Sequence, residues 1–202
     1  MYAPNEATTP GTSAFWTKRS EIVAIAAELF DHEGYTGTNM QTIAESAGLH
    51  KPTLYHYFQS KSELLTQIHN DFMQLLFDQL DTIPRDVIPP EDRLRSVVEH
   101  IVALMKTHRS HVRTFFEHYR ELPPEHRQSI RAGRQRYEAA VVEMITDGRA
   151  QGTFRSVNPH TAAMVVFGSC NWAYHWFDPT EDDGVTSDII WSIIWNGLKA
   201  AS

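Results

Sequence analysis

Between residues 50 and 61 the chain sets out a group of side chains that can donate hydrogen bonds: His50, Lys51, Thr53, Tyr55, His56, Tyr57 and Lys61. Leu54 and Phe58, four apart, form an apolar stripe, so most of these donors fall on the opposite face of a short helix. Donors backed by core on a narrow helix suit base edges and phosphates in a DNA groove. They do not suit catalysis. Cys170 has no visible His–Asp partner pattern, and there is no glycine-rich phosphate loop or catalytic serine motif, so no catalytic residue and no enzyme is expected. Among the eleven histidines, His108 and His111 are three apart and His111 and His118 seven apart. A loop is expected at residues 108–110, and neither a second cysteine nor an HExxH spacing exists, so no metal site is expected.

The elements that must position those donors are legible on both sides. Asn39 can cap a helix starting at Met40, since its side-chain oxygen can accept an orphan N–H. Met40, Ile43, Ala44 and Ala47 repeat at i, i+3, i+4 and i+7, giving one apolar face. Gly48 suits the left-handed turn that ends a helix, and Leu49 plugs that turn. Pro52 is tolerated in a first turn, so a second helix should begin near His50 or Lys51. Ser60 and Glu63 read as a capping box for a third helix. Lys61 stands in the first turn of that helix, where the dipole disfavours a cation and a nearby phosphate would explain it. The ring of Tyr55 can pack while its hydroxyl reaches a phosphate.

These residues resemble the TetR family of bacterial transcriptional regulators. The likeness runs over about residues 18 to 68: Ile22 to Phe30, Gly34, Thr38, Ile43-Ala44, Ala47-Gly48, Thr53 to Phe58, and Lys61 to Leu65. It implies a helix-turn-helix that reads a palindromic double-stranded DNA operator as a homodimer. It further implies phosphate contacts from Thr38, Asn39, Tyr55, Tyr57 and Lys61, and base-edge contacts from His50, Lys51, Thr53 and His56.

The net charge of −7 argues against nucleic acid at first sight, and residues 1–70 carry a net −3. What matters is charge within a Debye length of the phosphates, about 10 Å. Lys18, Arg19, Lys51 and Lys61 are expected on the DNA side, with Glu21, Glu28, Asp31 and Glu33 further along the first helix. Four cations per subunit is lean, so non-specific affinity should be modest. Residues 1–15, rich in Thr, Pro, Ser and Gly, read as a disordered tail without a secretory signal. A single cysteine suits a reducing cytoplasm. Asn158 to Phe177 holds no Asp, Glu, Lys or Arg, but its two histidines, Asn171 and proline suit a buried or interfacial helix better than a membrane span.

The remainder keeps a helical period and shows no strand alternation. The expectation is an all-α chain of about nine helices: a tail over 1–15, a three-helix helix-turn-helix DNA-binding domain over 16–64, and a helical ligand-binding and dimerisation domain over 65–202. Expected helices run about Lys61–Asp81, Pro90–Thr107, Ser110–Leu122, Glu125–Gln151, Pro159–Phe177 and Ser187–Ala200. The last is apolar most of the way round, through Ile189, Ile190, Trp191, Ile193, Ile194, Trp195 and Leu198. Such a helix needs cover on two sides, one of which a second copy of the chain can supply.

Gly152 to Pro179 is similar to the ligand domains of TetR regulators that answer to acyl-CoA thioesters, through Gly152, Phe154-Arg155, Pro159, Gly168, Asn171-Trp172, Tyr174, Trp176-Phe177 and Pro179. It departs at His175, where such regulators often carry an arginine, and at Asp178, where a basic residue is common nearby. Phe115, Phe116, Tyr119, Tyr137, Val141, Met144, Trp172 and Trp176 could line an elongated apolar cavity, Arg120, Arg131, Arg134 and Arg136 could meet CoA phosphates at its mouth, and His175 counts among the ligand-binding candidates. The expected function is a TetR-type regulator, a repressor by preference, with no cofactor, released by a small hydrophobic effector such as an acyl-CoA. Two alternatives stay open: a non-thioester hydrophobic compound or a metal ion as effector, and an α-helical ligand-binding protein without a DNA role.

Overall fold

The computed structural model describes residues 11–84, 87–178, 180 and 185–200. Among them are nine α-helices and no strand, beyond one isolated bridge between Phe154 and Lys199. In chain order they are α1 (Ser13–Gly37), α2 (Met40–Ser46), α3 (Lys51–Tyr57), α4 (Lys61–Asp81), α5 (Pro90–Thr107), α6 (Arg109–Glu117), α7 (Pro124–Ala150), α8 (Pro159–Asn171) and α9 (Val185–Leu198). Short 3-10 turns follow α6 at Tyr119–Glu121 and α8 at Trp172–His175. Both were expected to be α-helix. Tightening to 3-10 is a common way for a last turn to satisfy its carbonyls.

The helices form two compact units. One holds the chain up to Phe72 with Ser110–Ile130; the other holds Met73–Arg109 and the chain from Arg131. The divisions thus fall inside α4 and α7 and after the first residue of α6. The reason is that α6 returns to α1. Arg113 Nε pairs with Asp31 at 2.7 Å, the Thr114 hydroxyl donates to the Ala27 carbonyl at 3.3 Å, and His118 Nε2 lies 3.1 Å from the Phe30 carbonyl. Such non-local contacts cannot be read from a helical period.

Of the expected tail, residues 1–10 lie outside the described residues, and Ser13–Phe15 already belong to α1. Thr12 caps the helix, its hydroxyl oxygen accepting from Phe15 N–H at 3.1 Å. Phe15 is buried and stacks on Tyr57, with ring centroids 4.9 Å apart. Burying a phenylalanine contributes about 1.5–3 kcal/mol, enough to outweigh a loop-like local composition. The rest of this unit's core comes from Ile22, Ala26 and Phe30 of α1, Ile43 of α2, Leu54 of α3, Phe58, and Leu64, Leu65 and Ile68 of α4.

In the other unit, α9 packs along α5 and α8. Val97, Val98 and Ile101 of α5, Val141 and Ile145 of α7, Ala163, Val166 and Cys170 of α8, and Ile194 of α9 are buried. Arg93, buried on α5, meets Asp147 of α7 at 2.8 Å. Breaking that pair from one side would leave a charge without its partner. Phe154 folds over Gly148, where a Cβ would overlap its ring. Arg155 N–H then donates to the Leu198 carbonyl at 2.9 Å and Ala200 N–H to that of Thr153 at 3.0 Å. These bonds end α9 at Leu198, two residues before its apolar pattern suggests.

Candidate nucleic-acid interface

The turn between α2 and α3 is built by backbone chemistry. Asn39 Oδ1 accepts from Gln41 N–H at 2.8 Å and Thr42 N–H at 3.1 Å, capping α2. At the other end Gly48 takes φ +66, a left-handed conformation that strains any residue with a Cβ. That turn lets Leu49 N–H reach the Ala44 carbonyl at 2.8 Å and Gly48 N–H that of Glu45 at 3.0 Å. The pair forms a Schellman closure, and α3 leaves it with Pro52 in its first turn. Ser60 Oγ accepts from Glu63 N–H at 3.1 Å, but Glu63 reaches back to Gln59 N–H at 2.7 Å, one residue earlier than a standard capping box.

With the helix ends settled, the nine residues expected at DNA separate into two groups. Asn39, His50, Lys51, Tyr55 and His56 are exposed and Thr53 is half-buried; Tyr55 keeps 37% of its surface. These six lie at the start of α2 and on the outer face of α3. Thr38, Tyr57 and Lys61 turn inward. Thr38 is buried, its hydroxyl donating to the Gly34 carbonyl at 3.0 Å. Tyr57 is buried against Phe15, and burial first, then Glu21, raises its phenol pKa. Lys61 Nζ donates to the carbonyls of Tyr35 at 2.6 Å and Thr38 at 2.8 Å, and lies 4.2 Å from the Tyr35 ring centroid. Desolvation lowers its pKa. The lysine in the first turn of α4 thus has carbonyl partners at the end of α1, which already answers its unfavourable place on the helix dipole.

Two further cations behave alike. Lys18 Nζ donates to the Ala47 carbonyl at 3.1 Å, at the end of α2, and to Glu21 at 3.0 Å. Arg19 donates to Gln67 Oε1 at 2.9 Å and lies 4.3 Å from the Phe58 ring centroid. Both roles escaped the sequence, where a basic pair before an amphipathic helix looked like ordinary phosphate chemistry. Of the four cations, Lys51 alone makes no ion pair or hydrogen bond to the described residues.

This arrangement is a capped helix, a glycine turn and a second short helix with a polar outer face. Residues 22–68 match the model of bacterial regulatory proteins of the tetR family, and residues 87–194 match a tetracyclin repressor-like C-terminal domain. The chain belongs to the TetR family of transcriptional regulators. Members at this distance include the repressor KstR2 of Mycobacterium tuberculosis, 26% identical over 140 residues that cover 69% of this chain and 70% of that protein. The activator FasR of Mycolicibacterium smegmatis is 26% identical over 189 residues, covering 90% and 83%. A solved structure of AibR in complex with isovaleryl coenzyme A and operator DNA superposes with a TM-score of 0.79 at 30% identity, covering 92% of this chain and all of that one.

In this TetR regulator the ten residues expected at an effector are distributed over both units. Phe115, Phe116, Tyr119 and Arg120 belong to the unit containing α1–α3. There Phe115 packs on Phe72 (centroids 4.5 Å) and His69 (5.1 Å). Tyr137, Val141 and Met144 are buried in the other unit, along one face of α7. Trp172, His175 and Trp176 are exposed, Trp172 by 64% and Trp176 by 55%.

The two tryptophans border a surface depression of about 480 Å³ shared with Val165, Gly168, Ser169, Ile190 and Ile193. A neighbouring groove of about 410 Å³ continues it between α8 and α9, past Thr161 and Ile194 to Arg155 and Leu198. Val165 and Ile193, common to both, are 60% and 69% exposed. The uncharged run of α8 and the all-round apolar α9 therefore leave a broad apolar face uncovered in the single chain. No helix of the described residues is long and apolar enough to cross a membrane.

Proposed function

We propose that this TetR regulator binds a palindromic operator as a homodimer through α3, and that a small effector entering its C-terminal unit releases it. One observation carries the DNA half. With Lys18, Arg19 and Lys61 held by the fold's own carbonyls, side chains and rings, the expected DNA residues left outside are Asn39, His50, Lys51, Tyr55 and His56, with Thr53 half-buried beside them. These are donors and acceptors of the kinds that read base edges and phosphates. The sequence reading that put Thr38, Tyr57 and Lys61 on phosphates becomes a narrower one: they hold the turn in shape, and α3 does the reading.

The dimer half rests on the uncovered α8/α9 face. An exposed apolar patch with Trp172, Val165 and Ile193 at its centre is costly in water and marks an association surface. A two-fold pairing places the same patch against itself, and the paired readers then meet half-sites about one helical turn, or a multiple of it, apart. The complex of AibR with isovaleryl coenzyme A favours an acyl-CoA effector here. A ligand can release DNA only by its preference for the DNA-incompetent arrangement. Among the described residues no three His, Cys, Asp or Glu side chains cluster as a cation site.

The test is a mobility shift on DNA flanking the chain's own gene, with and without isovaleryl coenzyme A and longer acyl-CoA thioesters. A shift relieved by one thioester is expected. No shift on any flanking fragment would sink the operator reading. A shift that no thioester relieves would keep the regulator and discard the thioester.

A further inference from the structure

The opening turns of α1 are largely uncovered. Ser13, Ala14, Trp16, Thr17 and Ser20 are exposed, Lys18 and Arg19 are half-buried, and Phe15 is buried. Trp16 is the one tryptophan of the unit that holds α1, α2 and α3, and 55% of its surface is exposed. A single exposed apolar side chain says little on its own. Its place in the fold says more. The indole meets the Phe15 ring edge-on, with centroids 5.3 Å apart at 85°. Phe15 in turn stacks on Tyr57, the last residue of α3, at 4.9 Å. Arg19 makes a second tie, its guanidinium carbon lying 5.9 Å from the Trp16 ring centroid and 4.3 Å from that of Phe58, the cap that ends α3. Both routes run from Trp16 to the same end of the helix that presents Lys51, Tyr55 and His56. The indole therefore extends the reading face from its C-terminal end.

Charge and chemistry narrow what can lie against it. No acidic residue stands in the first turn of α1. The carboxylates close by face cations: Glu21 meets Lys18 at 3.0 Å, and Glu63 meets Arg19 at 3.8 Å. An indole has an apolar face and one N–H that can only donate. A helix lying in a major groove is bordered by sugar-phosphate strands, which offer apolar deoxyribose and acceptor oxygens. The two sets are complementary.

We infer that Trp16 is a backbone anchor of the operator complex. Its Nε1–H donates to a phosphate oxygen of the strand bordering the C-terminal end of α3, and its ring lies against the adjoining deoxyribose. This rests on the DNA-reading role of α3 given above. It adds a contact from α1, outside the helix-turn-helix, that carries no charge and reads no base.

Trp16→Phe and Trp16→Ala in the full chain test it. Each is titrated onto an operator fragment and onto a random duplex of equal length. Trp16→Phe should weaken both complexes by roughly tenfold per subunit contact, the worth of one hydrogen bond to a charged group. Trp16→Ala should weaken them further. The ratio of operator to random affinity should hold, because phosphates carry no sequence. The slope of log affinity against log salt should also hold, because no cation is removed. The melting temperature of Trp16→Phe should match the wild type. Unaltered affinity for both duplexes would overturn the assignment. Loss confined to the operator would overturn it too, making Trp16 a base reader. So would dissociation of the Trp16→Ala dimer in sedimentation, which would set a second copy of the chain against the indole. A wild type that binds neither duplex would sink the operator reading and this inference with it, an outcome distinct from a variant that binds as the wild type does.

Discussion

Two surfaces of this chain are left open by its own fold, and they are open in opposite ways. The outer face of α3 is polar and lean, with Lys51 its one full cation and His50, Tyr55 and His56 beside it. The α8/α9 face is broad and apolar, with Val165, Trp172, Trp176 and Ile193 uncovered. Burial of apolar area is strong and indifferent to partner detail, whereas hydrogen bonds to bases are individually small and depend on geometry. The contrast teaches where affinity and specificity are separated. The apolar face can hold two chains together, and the pair can then double a reading surface too weak to act singly.

The largest expected effect breaks the apolar side. Ile193→Asp puts a carboxylate in the middle of a face that would meet its own copy, so two like charges would be desolvated together. Dimer dissociation measured by sedimentation should strengthen by roughly a hundredfold or more, with operator affinity falling alongside it. A chain that sediments as a dimer unchanged would end the assignment of this face.

Next comes the support beneath that face. Gly148→Ala sets a methyl into the Phe154 ring, and Phe154 belongs to the connector that ties down the end of α9. Overpacking of this kind costs about 1–3 kcal/mol, or roughly 2–12 °C in melting temperature for a chain of this size. An unaltered melting temperature would mean that the connector repacks freely.

These effects also mark how far the sequence can be read. Asn39, Gly48 and Ser60 disclosed their roles because a cap or a left-handed turn is decided by residues within a few positions. The bounds of α4 and α5 followed from their apolar period in the same way. Lys18, Arg19 and Lys61 did not disclose theirs. Each ends on a carbonyl or ring at least 23 residues away, and a lysine bound for a carbonyl is written like a lysine bound for phosphate. For Phe115 and Tyr137 helical period records which face is apolar, not which partner that face meets. Trp172 and Trp176 are ambiguous for another reason: an interface and a cavity demand the same side chains.

A double comparison sharpens the polar side. Lys61→Ala removes the link between α4 and the end of α1, leaving the Tyr35 and Thr38 carbonyls without that donor. It should lower the melting temperature. Lys51→Ala should leave the melting temperature alone and act on salt dependence. Each phosphate neutralised contributes about 0.9 to the slope of log affinity against log salt, so losing both copies in a dimer should flatten it by roughly 1.8. The assignment fails if Lys61→Ala flattens the salt slope at full thermal stability while Lys51→Ala leaves the slope alone.

Tyr55→Phe is the smallest change and the most exacting. The ring stays, so packing at the surface of α3 is kept, and Tyr55 has no part in the Phe15–Tyr57 stack beneath it. Only the hydroxyl is lost. A hydrogen bond to a charged phosphate is worth about 1.5–3 kcal/mol, and one to a neutral group about 0.5–1.5. Titration of operator DNA at fixed salt should therefore show a loss of roughly 2- to 150-fold per subunit contact, with melting temperature unmoved. Loss at the upper end would place the hydroxyl on phosphate, and loss at the lower end on a base or sugar. Unchanged affinity would remove Tyr55 from the reading face and leave His50, Lys51, Thr53 and His56 to carry α3.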